Sequence, residues 1–281
     1  MNTSDQTYKA YSFADHKEVY LLLEKVFTQF DIFYYLIGAN ARDVSLYKAG
    51  IKPSRGTADI DFAVMVPDMI NYIDLKSQLK AQGFIEPNQD QPYRLFYSRT
   101  NTVIDLLPFG EIEEKNTVSF SDRQIEISTV GFKQMVSEVE PFEHPEGFSI
   151  PVLPAHGIVL LKLISWGEKP EWGKDLLDIK ELLESAWELY EPELYQENAK
   201  HADVFGTDNF KMPLVAARIM GRKMKSVLNQ DQKLKTLILK QLGDELSHDV
   251  GPMVANMAAA SRNTVMEIKE IFSALVQGIN D

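Results

Sequence analysis

The stretch ADIDFAVMV, residues 58–66, decides how this chain is read. Two aspartates, Asp59 and Asp61, stand one residue apart at the head of an apolar run rich in strand formers. A strand has a side-chain period of two, so both carboxylates project to one face and Ile60 to the other. Phe62, Val64 and Val66 continue the Ile60 face, while Ala63 and Met65 continue the aspartate face. Carboxylates this close repel unless positive charge lies between them. A divalent ion such as Mg²⁺ supplies that charge, because hard cations take carboxylate oxygens as ligands. An Asp-x-Asp is short, however, and reads equally well as a strand that begins beside solvent with two surface aspartates.

Asp105 is the third acidic residue of interest. In NTVIDLLPF, residues 101–109, alternation puts Val103, Asp105 and Leu107 on one face and Ile104 and Leu106 on the other. A charge among such neighbours is expensive unless paired or metal-bound, the plain alternative being a strand-edge aspartate near solvent. If this strand lies beside 58–66, three carboxylates converge, an arrangement that can hold two divalent ions for phosphoryl or nucleotidyl transfer.

Around these strands, 15–30 reads as an amphipathic helix with Asp15 as candidate N-cap, and YYLIG (34–38) as a short strand ending in glycine. Small residues at Gly38 and Ala39 let a backbone approach a ligand closely, although a glycine after a strand is most often a turn. A helical or irregular segment and a basic turn, IKPSRGT, lead into 58–66. The segment after Pro67–Asp68 reads as a helix closed by Gly83, and 93–98 with 102–109 as a hairpin. Weaker strands are expected near 117–120 and 124–129, then 149–153. Beyond Pro154 the pattern is helical: 155–166, 173–190, 210–227, 231–243 and 261–278. The sequence therefore predicts an α/β (α+β) half with a mixed sheet, residues 1–153, followed by a C-terminal helical region, residues 154–281.

Composition bounds the function. The 281 residues are 44% hydrophobic and 25% charged, which is enough apolar material for a sizeable core. Cysteine is absent, so a disulfide framework, a thiolate zinc site and a thiol nucleophile are all excluded. The net charge of -12 argues against coating nucleic acid with the whole surface but leaves room for a local phosphate-gripping pocket. The N-terminal residues lack a signal-peptide pattern, and no apolar run approaches the roughly 18 residues of a membrane span. A cytoplasmic protein without a membrane partner is expected. The five histidines form no metal-ligand spacing, and no P-loop or Gly-x-Ser-x-Gly pattern occurs.

Four ordered blocks resemble the AbiEii/AbiGii-type nucleotidyltransferases of the polymerase-beta-like superfamily: LIGANARD (36–43), RGTADIDFAV (55–64), IDLLPFG (104–110) and IVLLKLISW…KDLLDI (158–179). The likeness runs over residues 15–225 and implies a polymerase-beta-like core. It further implies transfer of a nucleoside monophosphate from an NTP, with Mg²⁺ or Mn²⁺ as cofactor. By that resemblance Gly38 and Ala39 lie beside the triphosphate, Asp59 and Asp61 bind metal, and Asp105 binds metal and helps activate the attacking hydroxyl. Lys162 would contact nucleotide phosphates, Asp175 and Asp178 would match the acidic helix motif, and Arg55 would offset phosphate charge. An RNA or tRNA acceptor and a cognate antitoxin are the partners it suggests. Ala39 stands where Gly or Ser is commoner, which removes a hydroxyl donor, and the gap from Gly38 to Asp59 is longer than in minimal members.

Read from the residues alone, several of these positions keep a plainer alternative. Lys162, in a nearly all-apolar helix, either snorkels to solvent or presents a point charge to phosphate. Asp175 and Asp178 share a helix face near a helix start, where acids also favour the macrodipole. Arg55 reads equally as a solvated turn residue. Arg218, Arg222 and Lys225 make one basic helix face, read either as solvated or as a polynucleotide grip. Three rival functions stand beside the first: a small-molecule (antibiotic-type) nucleotidyltransferase, a phosphohydrolase with an aspartate nucleophile, and a non-catalytic nucleotide-binding or interaction module. The phosphohydrolase is disfavoured because FAVMV continues as a strand where that class breaks into a loop.

Overall fold

Strand-period segments dominate the first half of the chain and helix-period segments the second, and the elements follow that division. The computed structural model describes residues 8–87, 90–170, 173–195, 201–206 and 210–281. A 3₁₀ turn at Tyr8–Ala10 precedes α1 (Lys17–Gln29), β1 (Tyr34–Ile37), α2 (Gly38–Lys48), β2 (Asp59–Met65) and α3 (Met69–Ala81). Then come β3 (Phe84–Ile85), β4 (Arg94–Tyr97), β5 (Thr102–Phe109), β6 (Thr117–Phe120), β7 (Ile125–Ser128), α4 (Phe132–Met135), β8 (Glu140–His144) and β9 (Phe148–Val152). The helical series is α5 (Ala155–Glu168), α6 (Gly173–Glu184), α7 (Ala186–Leu194), α8 (Met212–Leu228), α9 (Gln232–Ser247), α10 (Pro252–Ala259) and α11 (Val265–Asn280).

The chain divides into two compact units, residues 1–47 with 52–154 and residues 48–51 with 155–281. In the first, a seven-stranded mixed sheet runs β3-β4-β5-β2-β1-β9-β8, so the Asp-x-Asp strand sits at its centre. β2 is parallel to β5 and antiparallel to β1, β1 is parallel to β9, and β4 is antiparallel to β5. The apolar face of β2 is fully covered: Ile60, Phe62 and Val64 are at most 1% exposed. The Phe62 ring meets Tyr20 and Phe27 of α1 at centroid distances of 6.1 Å each, and Tyr34 at 5.7 Å. α3 is started by the Asp68 side chain, which accepts from the Asn71 amide at 2.8 Å. Gly83 ends it with φ +101°, its amide donating to the Lys80 carbonyl. The Tyr72 hydroxyl of α3 donates to the Leu106 carbonyl at 2.8 Å and fastens the helix to β5.

In the second unit α8 and α11 meet through glycines. A Cβ placed on Gly278 would lie 1.9 Å from the Arg218 carbonyl oxygen, and one on Gly221 would lie 2.2 Å from that of Leu275. Only glycine at both positions lets the two backbones approach this closely. α11 opens with a capping box in which Thr264 and Glu267 satisfy each other's backbone amides.

The mixed sheet and the helical C-terminal region agree with the fold class read from the sequence. Several details differ. Asp15 does not cap α1, because the preceding residue is His16, which makes no capping bond. The helix expected over 173–190 is two helices separated at Ser185. The last helix starts at Val265 rather than 261, where Thr264 supplies the cap. β3, α4, β8 and α10 were unforeseen: β8 is a short edge strand in which only Phe142 and His144 are buried, and it carries Pro141, a residue that argues against a strand.

The glycine contact is directly testable. Gly278→Ala must push backbone against backbone and should cost about 1–3 kcal/mol in urea denaturation. Gly243→Ala, in mid-helix with nothing within 4 Å of the added carbon, should instead stabilise by about 0.5–1 kcal/mol.

Candidate functional site

Pairing in the first unit brings the expected carboxylates together. β2 and β5 run parallel with Asp61 opposite Asp105 and Asp59 opposite Val103, so all three aspartates rise from the same face of the sheet. One oxygen from each of Asp59, Asp61 and Asp105 lies within 4.8 Å of the others. Burial grades across the cluster: the Asp59 side chain is 43% exposed, whereas that of Asp105 is 8% exposed. Three oxygen donors with no nitrogen or sulfur suit a hard divalent cation, Mg²⁺ or Mn²⁺, and the spacing lets one ion touch all three.

The surroundings hold these groups in place. Thr57 donates its hydroxyl to the Asp59 carboxylate, and the Asn40 amide donates to the Asp59 carbonyl at 2.7 Å. Gly38 opens α2 with φ +67°. A Cβ there would lie 2.1 Å from Asp61 Oδ2, so glycine is required twice over, for its backbone conformation and for the space Asp61 occupies. Ala39 follows, buried in the first turn of α2. Arg42 and Asp43 form a fully buried ion pair at 2.6 Å. Arg42 also donates to the Arg55 carbonyl at 2.7 Å, which ties α2 to the turn before β2. Arg55 is therefore a half-buried part of that tie rather than a loose, solvated turn residue.

The largest surprise is Arg94 on β4. Its Nε and Nη2 donate to Oδ1 and Oδ2 of Asp105, both at 2.7 Å, and Nη2 lies 3.7 Å from Asp59 Oδ2. The hydrogen bond to Asp105 holds the Arg94 guanidinium above its already high ordinary value, so it stays charged. Burial, and then the negative charge of Asp105, raises the Tyr93 phenol beside it. Thr57, Asn40 and Arg94 were all missed in the sequence, although the hairpin 93–109 already placed Arg94 on the strand next to Asp105.

Lys162, Asp175 and Asp178 come together in the second unit. The Lys162 ammonium lies 2.7 Å from Asp175 Oδ1 and 2.9 Å from Asp178 Oδ2, with side chains 15%, 12% and 2% exposed. It does not snorkel to solvent. Burial alone would lower this lysine, but Asp178 and Asp175 outweigh it and hold the ammonium above its usual value. Two of the three residues of the basic face of α8 are matched by carboxylates: Arg218 binds Asp281 at 2.7 Å and Arg222 binds Asp203 and Asp281, while the neighbouring Lys223 meets Glu193 at 2.8 Å. Among the described residues no helix is long and apolar enough to cross a membrane.

No family model matches this chain, and no curated protein matches it. Among solved structures, it is similar to an antigenic nucleotidyltransferase-like protein from Paracoccidioides brasiliensis. Identity is 13% and the TM-score 0.39, over 81% of this chain and 93% of that one. A likeness at that score carries no argument, and the site stands on its own geometry.

Gly38→Ala tests that geometry. The left-handed backbone should cost about 1–2 kcal/mol in denaturant unfolding, and the new carbon must displace the Asp61 carboxylate. A variant as stable as the parent would contradict the close approach.

Proposed function

We propose that this protein is a metal-dependent nucleotidyltransferase that moves a nucleoside monophosphate from an NTP to an acceptor hydroxyl and releases pyrophosphate. The reading is carried by one observation: Asp59, Asp61 and Asp105 converge from paired parallel strands, with their oxygens within 4.8 Å of one another. Asp59, Asp61 and Asp105 would hold Mg²⁺ or Mn²⁺, whose chemistry is to neutralise the phosphates and lower the pKa of the acceptor hydroxyl. The acceptor oxygen bonds to the α-phosphorus, the bond from that phosphorus to the bridging oxygen breaks, and pyrophosphate departs. Asp105, as one of the residues that would hold the ion, would help lower the pKa of the acceptor hydroxyl, whose proton passes to solvent. Gly38 and Ala39 bring the first amides of α2 to the phosphates, where a helix N-terminus favours negative charge. Arg55 offsets further phosphate charge. The polymerase-beta-like core belongs to residues 1–153 in this reading, with 154–281 as the helical region. Lys162, Asp175 and Asp178 are proposed nucleotide contacts through the resemblance of their motif. Catalysis is positioning and electrostatics, without a covalent enzyme intermediate.

RNA or tRNA as acceptor, a cognate antitoxin and a cytoplasmic setting are suggested by the same resemblance and composition. One observation favours keeping a small hydroxylated acceptor beside RNA. Arg218 and Arg222, two of the three residues of the basic α8 face, are already matched by carboxylates, which weakens that face as a polynucleotide grip.

The test is transfer of label from each of the four NTPs to total tRNA and to a panel of small hydroxylated compounds, with Mg²⁺ or Mn²⁺. Asp61→Asn should lower transfer by roughly a hundredfold or more while the protein stays folded. Undiminished transfer in that variant would overturn the assignment.

A further inference from the structure

Arg94 lies in register with Asp105 and grips both of its oxygens. The three aspartates bring negative charge to one small volume, and the structure sets the Arg94 guanidinium against two of them, Asp105 and Asp59. Its side chain is 25% exposed, so it is not sealed into the core. A bidentate fork on Asp105 engages the same oxygens that a divalent ion would use, and a positive charge there disfavours a second positive charge beside it.

We infer that Arg94 is an internal counter-cation for the acidic cluster, holding Asp105 in its metal-free state and yielding it only in exchange for a divalent ion. This inference rests on the metal-binding reading of the cluster given above. It assigns Arg94 a positioning and gating role. Asp59 meets Arg94 only at 3.7 Å, against 2.7 Å for Asp105, so its carboxylate is held less tightly. Asp105 joins the coordination when Arg94 releases it. Arg94 thus weakens metal binding while stabilising the protein without metal, since it relieves repulsion among the carboxylates. A residue that merely oriented Asp105 for the ion would do the reverse, because its loss would weaken metal binding.

That difference in sign is the test. Free Mn²⁺ would be titrated by electron paramagnetic resonance against the full-length protein, Arg94→Gln, Arg94→Lys and Asp61→Asn, with melting temperatures recorded with and without Mn²⁺. Arg94→Gln should bind Mn²⁺ about tenfold more tightly than the parent, the scale on which partners of metal ligands act. Its metal-free melting temperature should be lower, and its rise on adding Mn²⁺ larger. Arg94→Lys keeps the charge without the fork and should fall between; it also serves if Arg94→Gln does not fold. Unchanged or weaker Mn²⁺ affinity in the folded Arg94 variants would overturn the inference. If the parent binds Mn²⁺ and Asp61→Asn does not, such a result removes the gating role alone and leaves the proposed function standing. If neither the parent nor the Arg94 variants bind Mn²⁺, the inference and the metal-dependent function fall together.

Discussion

Repulsion among three carboxylates is the constraint on which the first unit depends. Two unit charges about 4 Å apart at an effective dielectric near 20 repel by about 4 kcal/mol. The sheet nevertheless fixes Asp61 opposite Asp105, so something else must stabilise that register. The opposite face does so. Ile60, Phe62, Val64, Ile104 and Leu106 are at most 1% exposed, and each such side chain contributes about 1.5–3 kcal/mol on burial. A one-residue slip of β2 would put Asp59 and Asp61 into that apolar layer and lift its hydrophobic set toward the aspartate face. The acidic cluster is thus held together by groups on the other side of the strand. Arg94 reduces what remains of the repulsion without removing it.

The second unit answers the same problem differently. Lys162 sits between Asp175 and Asp178 at 2.7 and 2.9 Å, and all three side chains are largely shielded from water. Removing one member of a buried ion network costs about 3–5 kcal/mol, because the partner charges stay behind unpaired. Here the cation is built into the chain, two carboxylates to one ammonium. In the first unit Arg94 meets Asp105 and Asp59, and the Asp59 side chain is nearly half exposed. An acidic cluster with a carboxylate open to solvent is suited to taking up a cation.

Much of this was legible in the residues themselves. The Asp-x-Asp at the head of an apolar strand, and Asp105 in a second alternating run, follow from a side-chain period of two. Gly38 stood out as a glycine between strand and helix, but its closeness to Asp61 is a tertiary fact that no local pattern carries. Arg94 was hidden by one residue of register. A three-residue loop at 99–101 would pair residue 98 with 102 and Arg94 with Leu106, on the wrong face. The observed pairing sets Tyr97 against Thr102 across a four-residue connection, with Asn101 at φ +54°, and that single step brings Arg94 to Asp105. The break at Ser185 and the weak edge strand β8 escaped for a related reason: both are decided by packing partners remote in sequence.

The central claim, that the three carboxylates form one cation site on the sheet, is tested most directly by anomalous X-ray scattering from crystals grown with Mn²⁺ and a non-hydrolysable NTP analogue. An anomalous peak within coordinating distance of Asp59, Asp61 and Asp105 is the result the account predicts. Ordered nucleotide with Mn²⁺ elsewhere, or an acidic cluster that excludes the ion at saturating concentration, would contradict it.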